Sequence, residues 1–424
     1  MKVSGSLRVP GDKSISHRAL ILAALAGGGQ PGSRASRITG ILQSADVQST
    51  ASVLRALGAN IPPLSPDFSV EGVGRRLSAP TAHLDCGNSG TTARLLAGVV
   101  AAAPMSATFI GDASLSRRPM RRVARPLEAM GARVDLPGHL GLPMTIHGGS
   151  LHDVDWVGEV ASAQVKSAIL LAALVAGVRA QVSEPSRSRD HTEKMLAARG
   201  AVVRVDGTTV TIERGSALGA CDTPVPGDPS SASFFAGLAA LADSGELRLE
   251  SVCVNETRTG FFNQLRAMGA CVDQEHWRDE GGERVADVVV SAKRLRGVTV
   301  TERDVPSMID EFPLLACLAA RADGETVITG AHELRVKESD RIAAVVSNLR
   351  AIGASAEELP DGMRIQGSDK PLAGRVVTHG DHRLAMAFGV LGAVTGNAID
   401  IDDRECVSVS YPTFWHDLAR VTGQ

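Results

Sequence analysis

The sequence predicts an α/β protein of two lobes, each made of three similar units. Three observations support this prediction: a glycine phrase that recurs along the whole chain, an apolar run that recurs in the same register, and short alternating segments between them. The chain of 424 residues thus divides into six units of about 70 residues. Such units are too long and too mixed for the common solenoid repeats, so we expect compact lobes of three βαβαββ units.

The glycine phrase ends one helix of each unit. Glycine directly after the last turn is a common helix stop, because it adopts the left-handed backbone conformation without strain. The six glycines are Gly58, Gly131, Gly200, Gly269, Gly353 and Gly423. The helices before them, such as Val47 to Leu57, mix polar and apolar positions, so we expect them to be partly exposed.

A small polar cluster followed by an Ala/Leu-rich run begins the other helix of each unit. Runs such as Ala19 to Leu22 are apolar on every side, which is typical of a helix buried in the centre of a domain. The six copies begin near Lys13, Asn88, Ser162, Ser230, Asp310 and Asp381.

Short alternating segments complete the units. Val202 to Ile212 turns at Asp206-Gly207. Met363 to Gln366 follows a second Asp-Gly pair, Asp361-Gly362. Asp-Gly between alternating residues is a strong hairpin signal, so we expect antiparallel strands at both places.

The boundary between the lobes is predicted at a Pro/Gly/Asp stretch, residues 224–229, with the opposite crossing near Pro10-Gly11. We therefore expect a first lobe over residues 12–225 and a second lobe made of residues 1–11 and 226–424. The active site is expected in the cleft between the two lobes.

Composition excludes several classes of protein. An apolar fraction of 44% and a net charge of −3 exclude a disordered chain, a nucleic-acid coat and a membrane-surface protein. The longest apolar run, Ala168 to Val178, is too short to cross a bilayer, and residues 1–10 hold no signal-peptide core. The six cysteines are widely spaced. We expect a cytoplasmic protein with reduced, mostly buried thiols and no zinc or disulfide framework.

The starts of the buried helices carry the chemistry. A helix N-terminus has unpaired N–H groups and a partial positive charge, which attract anions. Cations stand at these starts, with Lys13 and Arg18 in the first unit and Arg383 in the sixth. Taken alone, Ser14 and Ser162 are better interpreted as ordinary N-caps. Cations and small polar residues recur, however, at the same position of the repeat, the start of the buried helix. This recurrence predicts a site for phosphorylated or carboxylated small molecules.

The sequence lacks the common nucleotide-binding and metal-binding motifs. Gly11-Asp12-Lys13-Ser14 lacks the glycines of a P-loop, and no G-x-G-x-x-G phrase follows a strand. Histidines, cysteines and carboxylates do not have metal-ligand spacing.

Together the motifs resemble the enolpyruvyl transferase family, and specifically its members that act on shikimate 3-phosphate. The motifs are spread in order over the whole chain, and the family fold has two lobes of three βαβαββ units. They are Pro10 to Arg18, Gly87 to Arg94, Gly111 to Pro119, Ser162 to Gln164, Asp310-Glu311, Leu334 to Arg341 and Gly380 to Arg383.

The resemblance implies transfer of the enolpyruvyl group of phosphoenolpyruvate to the 5-hydroxyl of shikimate 3-phosphate, a step toward chorismate and the aromatic amino acids. It implies addition and then elimination through a tetrahedral intermediate. Asp310 is the predicted base for the hydroxyl, and Glu338 with Lys13 is predicted to move the proton at C3, with the division of these transfers left open. We expect no metal and no cofactor. The substrates are the expected partners, without nucleic acid or membrane, and the chain is expected to be a monomer.

The resemblance also implies two sets of binding residues. For shikimate 3-phosphate they are Lys13, Ser14, Arg18, Ser162, Ala163, Gln164, Arg189, Asp310 and Lys337. For phosphoenolpyruvate they are Lys13, Gly90, Arg118, Gln164, Arg341 and Arg383. Each phosphate brings about −1.5 to −2, and with two carboxylates the site must hold about −5 to −6. Seven of these side chains are cations.

The sequence departs from the family pattern at two positions. Val409 stands where some members have a lysine that contacts phosphoenolpyruvate, and Ala163 leaves at best a backbone contact. The small Gly90 leaves room beside phosphoenolpyruvate, so we expect competitive inhibition by glyphosate.

Three rival functions agree less well with the sequence. Members acting on UDP-N-acetylglucosamine have a cysteine where this chain has Ala113 and an asparagine where it has Ser14. An RNA 3′-phosphate cyclase would need a catalytic histidine motif that is not seen. A non-catalytic scaffold that binds anions would not need Asp310, Glu338 and the two lysines at helix starts.

Overall fold

The computed structural model of the protein describes residues 1–27 and 35–423. The chain forms two compact units. The N-unit consists of Gly11–Val225 together with Asp279–Glu283. The C-unit consists of Met1–Pro10, Pro226–Arg278 and Arg284–Gln424.

Helices and strands alternate along the chain. The α-helices are α1 (Lys13–Leu25), α2 (Ala45–Ala56), α3 (Gly90–Ala101), α4 (Ala113–Arg117), α5 (Arg121–Ala129), α6 (Ala163–Ala176), α7 (His191–Ala197), α8 (Pro229–Leu241), α9 (Gly260–Ala267), α10 (Val305–Met308), α11 (Phe312–Ala319), α12 (Arg341–Ala351), α13 (His382–Gly392) and α14 (Phe414–Thr422). Short 3₁₀ helices cover Glu256–Arg258, His332–Val336 and Glu405–Val409.

The strands are β1 (Gly5–Leu7), β2 (Ser36–Thr39), β3 (Asp67–Val70), β4 (Leu84–Asp85), β5 (Ser106–Ile110), β6 (Arg133–Asp135), β7 (Met144–His147), β8 (Val154–Val157), β9 (Ala180–Ser183), β10 (Val203–Asp206), β11 (Thr209–Ile212), β12 (Thr223–Pro224), β13 (Glu246–Cys253), β14 (Cys271–Glu280), β15 (Glu283–Ser291), β16 (Thr299–Val300), β17 (Glu325–Ile328), β18 (Ser355–Leu359), β19 (Gly362–Gln366), β20 (Ala373–Val376) and β21 (Ala398–Ile401). Both predicted hairpins are confirmed, as β10–β11 and β18–β19.

The described strands form six sheets, three in each unit. Those of the N-unit have the orders β12-β2-β3, β4-β5-β7-β6 and β10-β11-β9-β8. Those of the C-unit have the orders β1-β13-β15-β14, β16-β17-β19-β18 and β20-β21. In each sheet a short first strand pairs in parallel with the strand that follows the buried helix.

The glycine phrase has the predicted role. All six glycines lie in the left-handed region, within three residues of the ends of α2, α5, α7, α9, α12 and α14, and their φ angles are +90°, +109°, +89°, +100°, +92° and +71° in chain order. A side chain at these positions would strain the backbone. The repeat length inferred from the glycines is therefore confirmed.

The second set of helices is buried, as expected. Helices α1, α3, α6, α8, α11 and α13 begin within two residues of the six predicted polar clusters, and nearly all their residues are buried. In the N-unit α3 packs against both α1 and α6, and in the C-unit α8, α11 and α13 pack against one another. Each unit therefore has its own helical core, with the sheets outside it.

The contact between α3 and α6 depends on Gly98. A β-carbon built at this position would lie 2.0 Å from the carbonyl oxygen of Ala168, far inside van der Waals contact. The missing side chain is what allows the two helix backbones to approach this closely.

The βαβαββ pattern is complete in four units and shortened in two. The first unit has only β3 after α2, and the described part of the sixth ends with α14. In the first unit Pro62 and Pro63 follow the glycine phrase where other units have a strand. Proline has no N–H for a ladder hydrogen bond, so only an isolated bridge between Asn60 and Glu71 forms there.

Two strands come from distant parts of the chain. In the first unit β12 pairs with β2, and in the fourth unit β1 pairs with β13. The sequence prediction also placed residues 279–283 in the second lobe, whereas they group with the N-unit. They comprise the end of β14, the turn after it and the first residue of β15, and the buried carboxylate of Glu283 lies 2.7 Å from Nδ1 of His191.

Two further expectations concern the surface. None of the described helices combines the length and the apolar character needed to span a bilayer. All six cysteines are free thiols. Three of them, Cys86, Cys253 and Cys317, are buried, whereas Cys271 is exposed, so the expectation of mostly buried thiols holds for half of the set.

Candidate active site

The buried helices of the N-unit begin with side-chain caps. Asp12 accepts a hydrogen bond from the backbone N–H of Ile15 at 2.8 Å, and Ser89 accepts one from Thr92 at 3.1 Å. Ser162 caps α6 through the N–H of Val165 at 3.4 Å, so its N-cap interpretation is confirmed. Each cap satisfies one N–H group, and the other N–H groups of the first turn keep their positive polarity.

Lys13 and Arg18 stand in the first two turns of α1. Lys13 forms an ion pair with Asp46 of α2, and its side chain is 25% exposed. Arg18 is only 4% exposed and donates from Nε to the hydroxyl of Thr192 at 2.6 Å and from Nη2 to that of Ser167 at 2.8 Å. Its Nη1 donates to the carbonyl of Ser14 at 3.0 Å. Arg18 therefore joins α1 to α6 and α7.

The charge of Arg18 survives this burial. Burial lowers the pKa of Arg18 to about 10; Arg189 adds to the lowering, and Glu193 and Asp12 oppose it. At neutral pH the guanidinium is still protonated, so it supplies positive charge beneath the start of α1.

Arg118 is held beside the start of α3. Its Nη2 donates to Oδ1 of Asn88 at 2.8 Å and to Oγ of Ser114 at 3.3 Å, and Nδ2 of Asn88 donates to Asp112 at 2.7 Å. A β-carbon at Gly90 would lie 3.7 Å from Nη1 of Arg118. Gly90 therefore leaves open the space directly beside this guanidinium.

Gln164 is oriented by two residues that were absent from the predicted binding sets. Nη1 of Arg94 donates to its carbonyl oxygen at 2.6 Å, and its amide nitrogen donates to the hydroxyl of Thr91 at 3.0 Å. Arg94 lies one helical turn after Gly90, so the helical period of the Gly87–Arg94 motif was a usable signal for it. Asn88 was missed although it stands in the same motif.

His191 has a structural environment. Its ring is fully buried, and Nδ1 lies 2.7 Å from Glu283. The neighbouring Arg189 is only partly buried. His191 is therefore held inside the N-unit, whereas Arg189, the predicted binding residue two positions earlier, is partly exposed.

The carboxylates of the C-unit converge on Arg341. This guanidinium is 1% exposed and donates from Nε to Asp381 at 2.8 Å and from Nη2 to Glu338 at 2.8 Å. Its Nη1 donates to Asp310 at 3.3 Å. Burial works against the charged form, but Asp381 and Glu338 outweigh it and raise the pKa of Arg341. The two predicted catalytic carboxylates thus share one permanently charged partner.

Asp381 anchors this cluster to α13. It caps the helix by accepting from the N–H of Arg383 at 2.9 Å, and Ser339 donates to its other oxygen at 3.0 Å. Burial raises the pKa of Asp381, but the guanidinium of Arg341 outweighs it, so the net direction is downward. One buried carboxylate therefore fixes both Arg341 and the start of α13.

Arg383 lies at the same end of α13. Its Nη1 is 3.8 Å from Oε1 of the buried Glu311, and its guanidinium carbon is 6.0 Å from the centre of the Phe234 ring. Burial and the neighbouring Asp310 raise the pKa of Glu311, while Arg383 and Arg258 oppose the rise.

The remaining predicted residues lie near these groups in sequence. Lys337 is partly exposed and follows the 3₁₀ helix His332–Val336, directly before Glu338. Val409 ends the 3₁₀ helix Glu405–Val409 and is partly exposed.

The predicted residues thus fall into two groups, one in each unit, which we name the N-half-site and the C-half-site. The N-half-site, at the starts of α1, α3 and α6 and before α7, consists of Lys13, Ser14, Arg18, Gly90, Arg118, Ser162, Ala163, Gln164 and Arg189. The C-half-site, at the starts of α11, α12 and α13, consists of Asp310, Lys337, Glu338, Arg341 and Arg383. The first is rich in cations, and the second combines cations with carboxylates.

Comparison with known proteins shows the family of the chain. The family model described as EPSP synthase (3-phosphoshikimate 1-carboxyvinyltransferase) matches residues 1–418. A 3-phosphoshikimate 1-carboxyvinyltransferase of Sulfurihydrogenibium sp. is 49% identical over 99% of this chain and 98% of its own length. The protein of the same name from Alkalilimnicola ehrlichii is 50% identical over 97% of this chain and 91% of its own length.

Solved structures agree with the sequence comparison. The EPSP synthase of Acinetobacter baumannii is 41% identical with a TM-score of 0.88, over 99% of this chain and 95% of that one. The enolpyruvyl transferase NikO of Streptomyces tendae, at 18% identity and a TM-score of 0.74 over 99% of this chain and 95% of that one, shares the fold. With the family model spanning nearly the whole chain and close relatives matching over nearly their full lengths, the chain belongs to the EPSP synthase (3-phosphoshikimate 1-carboxyvinyltransferase) family.

Proposed function

We propose that this chain catalyses the reaction for which its family is named, the transfer of the carboxyvinyl group of phosphoenolpyruvate to the 5-hydroxyl of shikimate 3-phosphate. The observation that carries the proposal is the cluster in which Arg341 joins Asp310 and Glu338. Two carboxylates with side chains 19% and 29% exposed, held on one buried guanidinium, suit proton transfer to and from bound ligands.

The N-half-site is proposed to bind shikimate 3-phosphate. Lys13, Arg18 and Arg189 supply positive charge at the start of α1 and before α7, and the hydroxyl of Ser162 and the N–H groups of Ala163 and Gln164 stand at the start of α6. Phosphate and carboxylate groups are bound well by such a combination of helix N-terminus and guanidinium. Asp310 and Lys337 are proposed to contact the shikimate ring.

Phosphoenolpyruvate is proposed to lie against Gly90, Arg118 and Gln164 in the N-unit and against Arg341 and Arg383 in the C-unit. Arg118 is fixed by Asn88, and Gln164 is fixed by Arg94, so both are oriented before the substrate arrives. Preorganised donors of this kind stabilise developing charge without reorganisation.

The proposed chemistry is addition followed by elimination. Asp310 accepts the proton of the 5-hydroxyl group as the hydroxyl oxygen attacks C2 of phosphoenolpyruvate. Glu338 and Lys13 move the proton at C3, which is gained in the addition and lost as phosphate leaves. General acid–base groups of this kind contribute about 10²–10⁴-fold in rate.

The experiment is a phosphate-release assay with phosphoenolpyruvate, in the presence and absence of shikimate 3-phosphate. We expect release only with both substrates, and a loss of about 100-fold or more in Lys13→Met and Asp310→Ala. Asp400→Asn is the matched control, since Asp400 is an exposed carboxylate of the same unit as Asp310. Release from phosphoenolpyruvate alone would contradict the reaction, and normal turnover in both variants would contradict the assigned roles.

Several expectations stay predictions. They are the lobe boundaries, the active site between the lobes, the monomeric state, the cytoplasmic location and competitive inhibition by glyphosate. An inhibition by glyphosate that does not weaken as phosphoenolpyruvate rises would remove the last of them.

A further inference from the structure

A buried carboxylate, Glu184, lies behind the N-half-site and has no part in the chemistry proposed above. It follows β9, and its Oε1 accepts a hydrogen bond from the backbone N–H of Ser162 at 2.7 Å. Its Oε2 accepts one from the hydroxyl of Ser188 at 2.7 Å. One carboxylate therefore ties the N-cap residue of α6 to the residue directly before Arg189.

Glu184 is itself held by a buried lysine. Nζ of Lys166 lies 2.9 Å from Oε2 of Glu184 and 2.8 Å from Glu193 of α7. The side chains of the lysine and both glutamates are at most 4% exposed. A carboxylate that is hydrogen-bonded at both oxygens and paired with a buried ammonium has little freedom to move, because any displacement leaves a buried charge unmatched.

We infer that Glu184 is a positioning residue for shikimate 3-phosphate, because it sets the spacing between the start of α6 and Arg189. This inference rests on the proposed function, which assigns Ser162 and Arg189 to that substrate. Phosphoenolpyruvate is assigned to Arg118 and Gln164 in the N-unit, and these two side chains are oriented by bonds with Asn88 and Arg94 instead. Loss of Glu184 should therefore affect the two substrates unequally.

The sign of the effect separates positioning from simple electrostatics. Removing a negative charge near a site for a phosphate ester would strengthen binding if charge alone mattered. If Glu184 acts by position, Glu184→Gln weakens binding. The amide oxygen can replace only one of the two carboxylate oxygens, so either the N–H of Ser162 or the donors Ser188 and Lys166 would then face an NH2 group that cannot accept.

The experiment is steady-state kinetics of Glu184→Gln with each substrate varied in turn. We expect the KM for shikimate 3-phosphate to rise about tenfold, as for the loss of one or two buried hydrogen bonds, and the KM for phosphoenolpyruvate to change less than about twofold. Glu193→Gln is the matched control: it removes a buried carboxylate from the same lysine without touching Ser162 or Ser188, and its KM for shikimate 3-phosphate should rise less than about threefold.

An unchanged or lowered KM for shikimate 3-phosphate in Glu184→Gln, or an equal rise for both substrates or in both variants, would overturn the inference. If Glu184→Gln does not fold, Ser188→Ala decides. A rise of about threefold or more in the same KM supports positioning, and no rise overturns it. Arg189→Ala tests the binding assignment separately. A normal KM for shikimate 3-phosphate in Arg189→Ala would remove Arg189 from the site. A raised KM in Arg189→Ala together with a normal KM in Glu184→Gln would overturn the Glu184 inference alone.

Discussion

The two half-sites hold their arginines in different ways. In the N-half-site Arg18 donates to the hydroxyls of Thr192 and Ser167, and Arg118 donates to the side-chain oxygens of Asn88 and Ser114. In the C-half-site Arg341 donates to three carboxylates. Neutral oxygens orient a guanidinium without cancelling its charge, whereas carboxylates cancel it.

This difference assigns different work to the two halves. The N-half-site keeps positive charge for anionic ligands, together with the polarity of three helix starts. In the C-half-site the charge of Arg341 serves to arrange Asp310 and Glu338, which are the groups proposed to exchange protons. The seven predicted cations are therefore not equivalent, and Arg341 adds little net charge toward the substrates.

The largest effect that tests this comparison is on stability. Arg341→Met leaves Asp381 buried without its cation, so we expect a loss of about 3–5 kcal/mol in the free energy of unfolding, measured with urea. Arg18→Met removes hydrogen bonds to neutral groups only, and we expect a loss of about 1–3 kcal/mol. Asp381→Asn added to Arg341→Met should recover part of the loss. Equal losses in the two single variants would contradict the distinction.

A smaller effect concerns phosphoenolpyruvate in the N-half-site. In Gly90→Ala the added methyl would lie 3.1 Å from Nη1 of Arg94 and 3.7 Å from Nη1 of Arg118. We expect the KM for phosphoenolpyruvate to rise about tenfold, which corresponds to about 1.4 kcal/mol, with little change for shikimate 3-phosphate. Gly138→Ala is the control, because nothing lies within 4 Å of the added carbon. A normal KM in Gly90→Ala would place phosphoenolpyruvate elsewhere.

The positive charge of the N-half-site also predicts a pH dependence. His17 is fully buried with Nδ1 2.6 Å from the hydroxyl of Thr50, and burial, Lys13 and Arg18 lower its pKa well below 6.5. Below pH 6.5 the unfolded chain binds this proton and the folded chain does not, so stability falls as pH falls, by up to about 1.4 kcal/mol per pH unit.

Urea unfolding of the wild type and His17→Gln between pH 7 and pH 5 measures this term. The variant should lose stability less steeply than the wild type over that range. His83→Gln, at an exposed histidine of the same unit, should keep the wild-type slope. If the unfolding free energy of His17→Gln and of the wild type fell equally steeply with pH, the folded protein would bind a proton at His17 as readily as the unfolded chain, which would contradict this prediction.

Local signals explain what could be predicted from the sequence. A helix often stops at a residue in the left-handed conformation, which favours glycine. Gly58 and its five counterparts could therefore be recognised from their regular spacing in the sequence. Helix starts depend on a cap within three residues, as at Asp12 and Ser162. The shortened first unit also has a local cause, Pro62 and Pro63, whereas the prediction of six similar units expected a strand there.

The rest could not be predicted, because the partners are distant in sequence. Asp381 lies 40 residues beyond Arg341 in the sequence. The sequence alone did not indicate that Asp381 would neutralise the charge of Arg341, one of the seven predicted cations. Glu184 shares no motif with Ser162, and Arg94 meets Gln164 only because α3 and α6 pack together at Gly98. The residues that hold the site are thus harder to find than the residues that line it.

The most direct test of the division of labour measures binding and turnover in the same two variants. In Asp310→Asn we expect both substrates to bind with dissociation constants within about threefold of the wild type, while phosphate release falls by about 10²–10⁴-fold. In Arg118→Met we expect the affinity for phosphoenolpyruvate to fall more than about tenfold. Loss of substrate affinity in Asp310→Asn with turnover retained, or unchanged phosphoenolpyruvate affinity in Arg118→Met, would contradict the account.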